Sequence, residues 1–216
     1  MLKFIVPLVT MIALSACTAI SYTPISKGKL SSGPFERKVE FSKADALYSF
    51  APDCVVVWPV GLGMDKEKAA LIEGSIARHL TDRVQRVIGP RERNKLARDD
   101  ALDLQDNQDR KSFSQLQRCG YGVRVLAVKT STQYLIVWSQ NQVGLDLSLT
   151  RTETGEVLWR VRHIARRGHG GLPLSPVSFG MDMFDAGISN ADKDQLPSVI
   201  DDTLRRMLLT LPDFRW

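Results

Sequence analysis

The chain has 216 residues, of which 44% are hydrophobic and 25% charged, and its formal net charge is +5. This is the composition of an ordinary globular protein, long enough for one full core plus a tether and a long loop, and a charge this small matters only where it is concentrated. No run after Leu14 approaches the roughly eighteen apolar residues of a membrane span, which excludes a second membrane segment. The first element is Met1 to Cys17. Lys3 supplies a positive start, Phe4 to Leu14 an apolar stretch too short to span a bilayer comfortably, and Leu14-Ser15-Ala16-Cys17 closes it. Thr18 to Pro34, rich in Ser, Thr, Lys, Gly and Pro and without helical or strand periodicity, reads as a flexible tether.

Phe35 to Phe50 reads as an opening strand followed by a helical turn. Cys54 to Val60, C-V-V-V-W-P-V, is a β-branched run expected to be a strand buried on both faces. After Gly61-Leu62-Gly63 comes an amphipathic helix, with Asp65 as its cap. Ala69, Ile72, Ile76, Leu80 and Val84 lie on one side; Lys66, Glu73, Arg78, Asp82 and Arg83 are expected on the solvent side. The acidic Asp65 and Glu67 make the glycine turn a tight turn and not a phosphate loop. Arg86 to Ile88 reads as a short strand, and Pro90 opens a peripheral helix running towards Leu102. Asp103 to Arg110 is expected to be polar loop, followed by a short helix ending at Cys119-Gly120.

Tyr121 to Val128 is the next core strand, with Thr130-Ser131-Thr132 as the connection onward. The strand-helix-strand-helix-strand order predicts a parallel core. Tyr134 to Thr150 is extended, Thr152 to Gly155 is a hairpin turn, and Val157 to His163 alternates on the return, giving an antiparallel hairpin with one wet face. Gly168 to Gln195 shows no sustained periodicity, and a loop this long is usually functional or disordered. Pro197 opens a last helix, in which Ile200, Leu204, Met207, Leu208 and Leu211 share a face, and Pro212 ends it. The fold class expected is α/β: a single domain with a mixed sheet, parallel core strands plus an antiparallel hairpin, and helices packed on the sheet.

The chain has no H-E-x-x-H, no C-x-x-C pair and no G-x-S-x-G, so zinc hydrolysis, thiol redox and nucleophile-elbow catalysis lack their signatures. The pairs Asp99-Asp100 and Asp201-Asp202 read as solvated helix faces or caps. No catalytic residue, metal, cofactor or nucleic-acid partner is expected. Between Val157 and Met181 the charged residues are Arg160, Arg162, Arg166 and Arg167, followed by Phe179, Met181 and Phe184 in the unpatterned stretch. This basic rim beside apolar residues is read as a surface for envelope protein partners, the alternative being a loop folded over the sheet with solvated arginines.

Residues 1–16 with Cys17 resemble the signal peptides of bacterial lipoproteins, Leu14-Ser15-Ala16-Cys17 being the lipobox. The resemblance implies cleavage before Cys17, acylation of its thiol, a lipidated tether over 17–34 and a periplasmic domain over 35–216. With Thr18 after the cysteine, it also implies the periplasmic face of the outer membrane. Cys54 and Cys119 then remain in an oxidising compartment, each immediately before a predicted core strand. They are placed to bond if those strands are parallel neighbours, and are otherwise two buried free thiols.

Val55 to Val60, the helix from Asp65, Tyr121 to Val128, the hairpin at Thr154-Gly155-Glu156 with Leu158-Trp159, and the closing helix resemble, with the lipobox, the curli-secretion-channel (CsgG-like) lipoproteins. The periplasmic domain of that family is similar to the amino-terminal domain of TolB. The resemblance implies a non-enzymatic scaffold for envelope secretion or surface-polymer export, and a possible homo-oligomeric ring. Pore-forming members insert long amphipathic strands. Here a single hairpin with Arg160 and Arg162, each costing about 2 to 4 kcal/mol if lipid-facing at midplane, argues against a pore. Two other roles stay open, an activator of a cell-wall synthase and a periplasmic enzyme or ligand-binding protein. An activator must cross the periplasm, whereas about seventeen flexible residues reach on the order of 20 to 25 Å.

Overall fold

A computed structural model of the chain describes residues 20–25, 38–61, 64–135, 138–169 and 195–215. In order these form β1 (Ser21–Pro24), β2 (Lys38–Lys43), α1 (Ala46–Ser49), β3 (Cys54–Val57), α2 (Lys66–Leu80), β4 (Arg86–Ile88), α3 (Pro90–Asp99), α4 (Asn107–Leu116), β5 (Tyr121–Leu135), β6 (Trp138–Arg151), β7 (Val157–His169) and α5 (Gln195–Leu208). The strands make one mixed sheet, ordered β1-β2-β7-β6-β5-β3-β4. The fold is the α/β class expected, with β3 parallel to both β4 and β5.

All four residues of β3 are buried, because its two faces serve two cores. Val55 and Val57 join Ile72, Ile76 and Leu80 of α2 and Val199, Ile200, Leu204, Met207 and Leu208 of α5. Cys54, Val56 and Trp58 join Ile88, Ala97 and Phe113 beneath α3 and α4. α2 starts where Asp65 Oδ1 accepts hydrogen bonds from the backbone N–H groups of Glu67 and Lys68, both at 3.1 Å, satisfying two of the helix's orphan donors.

Three charged residues depart from their expected solvent positions. Glu73 of α2 is buried, not solvated: one oxygen accepts from Val60 N–H at 2.8 Å and the other from Arg93 Nη2 at 2.8 Å. Arg93 of α3, a helix expected to be peripheral, is 2% exposed and also donates Nη1 to the Val57 carbonyl at 2.6 Å. The pair therefore closes the end of β3 and pins the chain leaving it. Asp201 is not merely a solvated face. Its Oδ1 accepts from Ser75 Oγ at 2.5 Å and Arg78 Nη1 at 3.0 Å, lies 3.0 Å from His79 Nε2, and so ties α5 to α2.

Three boundaries also differ. α4 begins inside the expected loop, because Asp106 Oδ1 caps Gln108 N–H at 2.7 Å and Asp109 N–H at 3.1 Å. β5 does not stop at Val128 and Thr130 to Thr132 are not a connection. The strand continues to Leu135 and pairs with β6 down to Leu135↔Trp138, so there are two hairpins where one was expected. The second turns at Thr152–Gly155, where Gly155 holds a φ of 74°, the left-handed region that favours glycine. Finally, Ser21–Pro24, inside the expected tether, is an edge strand paired parallel with β2.

β2 pairs with β7 only over Trp159 to His163, and β3 with β5 only over Tyr121 to Val123. Past these levels, among the described residues, β5, β6 and β7 continue as a three-stranded ribbon, with a bulge at Val125/Ala127. The six residues from Gly144 back to Trp138 carry it about 20 Å beyond the sheet body.

Candidate functional site

Cys17, Phe179, Met181 and Phe184 lie outside the described residues, as do the expected signal segment over 1–16 and most of the unpatterned stretch after β7. Cys54 and Cys119 are joined by a disulfide with their Cα atoms 5.1 Å apart. The β3–β5 register explains the placement. Val55 sits opposite Tyr121, so Cys54, the first residue of β3, and Cys119, two residues before β5, meet at the same end of the sheet.

Arg160 and Arg162 lie on β7, each in an ion pair. Arg160 makes two hydrogen bonds to Asp146 of β6, at 2.9 and 2.7 Å. Arg162 bonds Glu40 of β2, which is 2% exposed, at 2.8 Å. Burial pushes Glu40 up, but Lys38 and Arg162 together hold its carboxyl below the ordinary carboxylate range. Asp146, Arg162 and Glu40 are in register across β6, β7 and β2, so the wet face of the hairpin is a charge ladder within the sheet. Arg166 and Arg167 continue β7 into the ribbon, opposite Gln142 and Asn141 of β6. The structure thus divides the four arginines between sheet body and ribbon.

A cleft that sequence reasoning missed lies at the other end of the sheet. Asn107, Arg110 and Lys111, three and four residues apart on α4, form one wall. Arg124 of β5, Thr150 and Arg151 of β6 and the Thr152–Gly155 turn form the other, around about 330 Å³. Trp58 lies at its base across Gly122. A Cβ there would come within 1.9 Å of the indole Nε1, so only glycine admits this approach.

Arg110 is 7% exposed, and its partners are neutral: the Leu104 carbonyl at 3.0 Å and the Asn107 side-chain oxygen. Burial, and then the positive charge of Arg124, push its pKa down. Arg151 stacks over the Phe50 ring at 4.4 Å and lies 3.6 Å from Glu156. Its Nη2 and the Thr152 Oγ1 are buried without a hydrogen-bond partner. A signal existed in the Asn107–Lys111 spacing, but reading that stretch as loop concealed it.

Among the described residues no group of three or more His, Cys, Asp or Glu side chains is placed to hold a metal, and no helix is long and apolar enough to cross a membrane.

No family model and no curated protein matches the chain. Solved structures similar to it include the PelC dodecamer from Paraburkholderia phytofirmans, at 16% identity over 81% of this chain and 97% of that one, with a TM-score of 0.49. A lipoprotein from Neisseria meningitidis is similar at 16% identity over 65% and 97%, with a TM-score of 0.46. The C-terminal domain of LpoB from Salmonella enterica is similar at 12% over 56% and 90%, with a TM-score of 0.36. At these identities and scores the likeness says nothing of what this chain does, and the function is argued from its own residues.

Proposed function

We propose that this chain is a non-enzymatic lipoprotein, acylated at Cys17 and held on the periplasmic face of the outer membrane. There its domain scaffolds or assembles a secretion or surface-polymer export system as a homo-oligomer. The observation that carries this reading is the position of β1. Only Thr18, Ala19 and Ile20 separate Cys17 from Ser21, so the four steps from one to the other extend at most about 14 Å. Two or three acyl chains on Cys17 make attachment effectively permanent, and a leash this short keeps the sheet edge against the headgroups.

This favours a scaffold at the membrane over an activator that must reach across the periplasm. Ser21 pairs with Lys38, one residue before the Val39↔His163 pair, and β7 runs on from His163 into the ribbon. The ribbon therefore leaves the sheet at the end where the anchor enters. Between Val128, Val143 and Ala165 towards its base and Tyr134, Leu135 and Trp138 at its far end, the strands read K-T-S-T-Q on β5, S-Q-N-Q on β6 and R-R-G-H on β7, with no alternating apolar face, which argues against a lipid-facing barrel.

The test inserts a Gly/Ser spacer of about twenty residues between Thr18 and Ala19, adding a reach on the order of 25 Å. Processing and membrane attachment should persist while crosslinking to envelope partners is lost. Undiminished crosslinking with the spacer in place would contradict a role that depends on membrane proximity.

A further inference from the structure

We infer that the cleft between α4 and the β6–β7 turn binds an oxyanion, a phosphate or carboxylate group carried by a hydroxylated soluble ligand or polymer and not by the membrane to which the chain is anchored. Four cationic side chains line it, Arg110, Lys111, Arg124 and Arg151, against the single carboxylate of Glu153. That carboxylate faces Gln115, whose Nε2 donates to it at 3.5 Å. Among the described residues Arg110, Lys111 and Arg124 form no ion pair.

The β7 arginines show the contrast. There Asp146 and Glu40 neutralise each guanidinium within the sheet. In the cleft, Arg110 is buried with a carbonyl and an amide as its acceptors, and the positive charge of Arg124 acts on it more strongly than the carboxylates of Asp106 and Asp103, which oppose it. Gathering like charges around a partly enclosed space costs free energy that an entering anion recovers. Arginine presents a planar fork of donors that matches a phosphate or carboxylate.

The neutral lining suits the remainder of such a ligand. Thr150, Thr152 and Asn107 offer hydroxyl and amide groups to neighbouring ligand hydroxyls, and Thr152 Oγ1 is one of the buried atoms lacking a partner. A second hollow, about 250 Å³ between α3 and the chain that follows it, has Arg98 and Asp103 in its lining and so has no such imbalance.

Position selects the source. Ser21 is level with Gly144 on β6 through β2 and β7, and Thr150 lies six residues further along β6, about 20 Å away. The cleft thus opens at the end of the sheet remote from the anchor.

The test titrates the full-length, lipidated protein in detergent micelles with glycerol 3-phosphate by calorimetry. Glycerol is the neutral control, and phosphatidylglycerol vesicles present the same phosphate on a lipid. Saturable binding of the soluble phosphate, absent for glycerol, is expected. Lys111→Gln and Arg124→Gln, which remove side chains with no ion pair among the described residues, should each raise Kd roughly tenfold, the loss of one charge-assisted contact. Arg91→Gln, on the exposed first turn of α3, should leave Kd unchanged, and all three variants should melt with the parent. Absence of saturable binding, equal weakening by Arg91→Gln, no weakening by Arg124→Gln, or recognition of the phosphate only on vesicles would each overturn the inference.

Discussion

Arg93 on α3 reaches past the end of β3 to Glu73 on α2, and both charges sit where water is largely excluded, with side chains 3% and 10% exposed. Deleting one partner leaves the other buried and unpaired, so Arg93→Ala or Glu73→Ala should each lower unfolding free energy by about 3 to 5 kcal/mol. Urea denaturation measures this; a loss under about 1 kcal/mol would mean that the pair is solvated. The interaction was not legible beforehand because a Glu and an Arg on amphipathic helices are ordinarily solvent-facing, and only the tertiary fold brings them together. Asp201 illustrates the same gap and adds a pH dependence. Burial raises its pKa, but Ser75, His79 and Arg78 outweigh this and leave the folded value below the ordinary one. The unfolded chain therefore binds the proton more readily. The contribution is complete above about pH 4 and is lost as pH falls through the depressed folded value. Asp201→Asn should accordingly show a shallower loss of stability on acidification than the parent, and identical acid limbs in the two proteins would contradict the assignment.

At the level of elements, patterns that depend on local chemistry were readable. The β-branched run of β3, though it ends at Val57 and not at Val60, the Asp65 cap, the Gly155 turn and the apolar face of α5 all stand where the sequence places them. The β5–β6 hairpin was not readable, because the chain from Leu135 to Trp138 has no Gly, Asn, Asp or Pro to mark a turn. β1 escaped for a related reason: four residues ending in Pro24, on a sheet edge, carry too little periodicity to stand out from a tether. The disulfide belongs to this scale, since it clips the start of β3 to the residues before β5. Its 65-residue separation corresponds to about 4 kcal/mol in the chain-entropy model. Reduction, or Cys54→Ala with Cys119→Ala, should lower the unfolding midpoint accordingly. Stoichiometric thiol labelling of both cysteines in unreduced, unfolded protein would show that the bond does not form.

For the whole molecule, the proposed orientation ties the parts together: an anchor that, as proposed, enters at β1, a ribbon leaving the sheet at that same end, and a basic cleft at the opposite one. A homo-oligomeric scaffold predicts that the purified lipidated protein, measured by light scattering in detergent, has a protein mass several times that of one chain, while a monomer at micromolar concentration would oppose that part of the account. The anchor is the premise for the rest and is tested most directly by mass spectrometry of the amino-terminal peptide from membrane-extracted protein. The account predicts a peptide beginning at Cys17 and carrying a diacylglyceryl group and usually a third acyl chain. An unmodified peptide that runs uncut through Ala16 and Cys17 would contradict it.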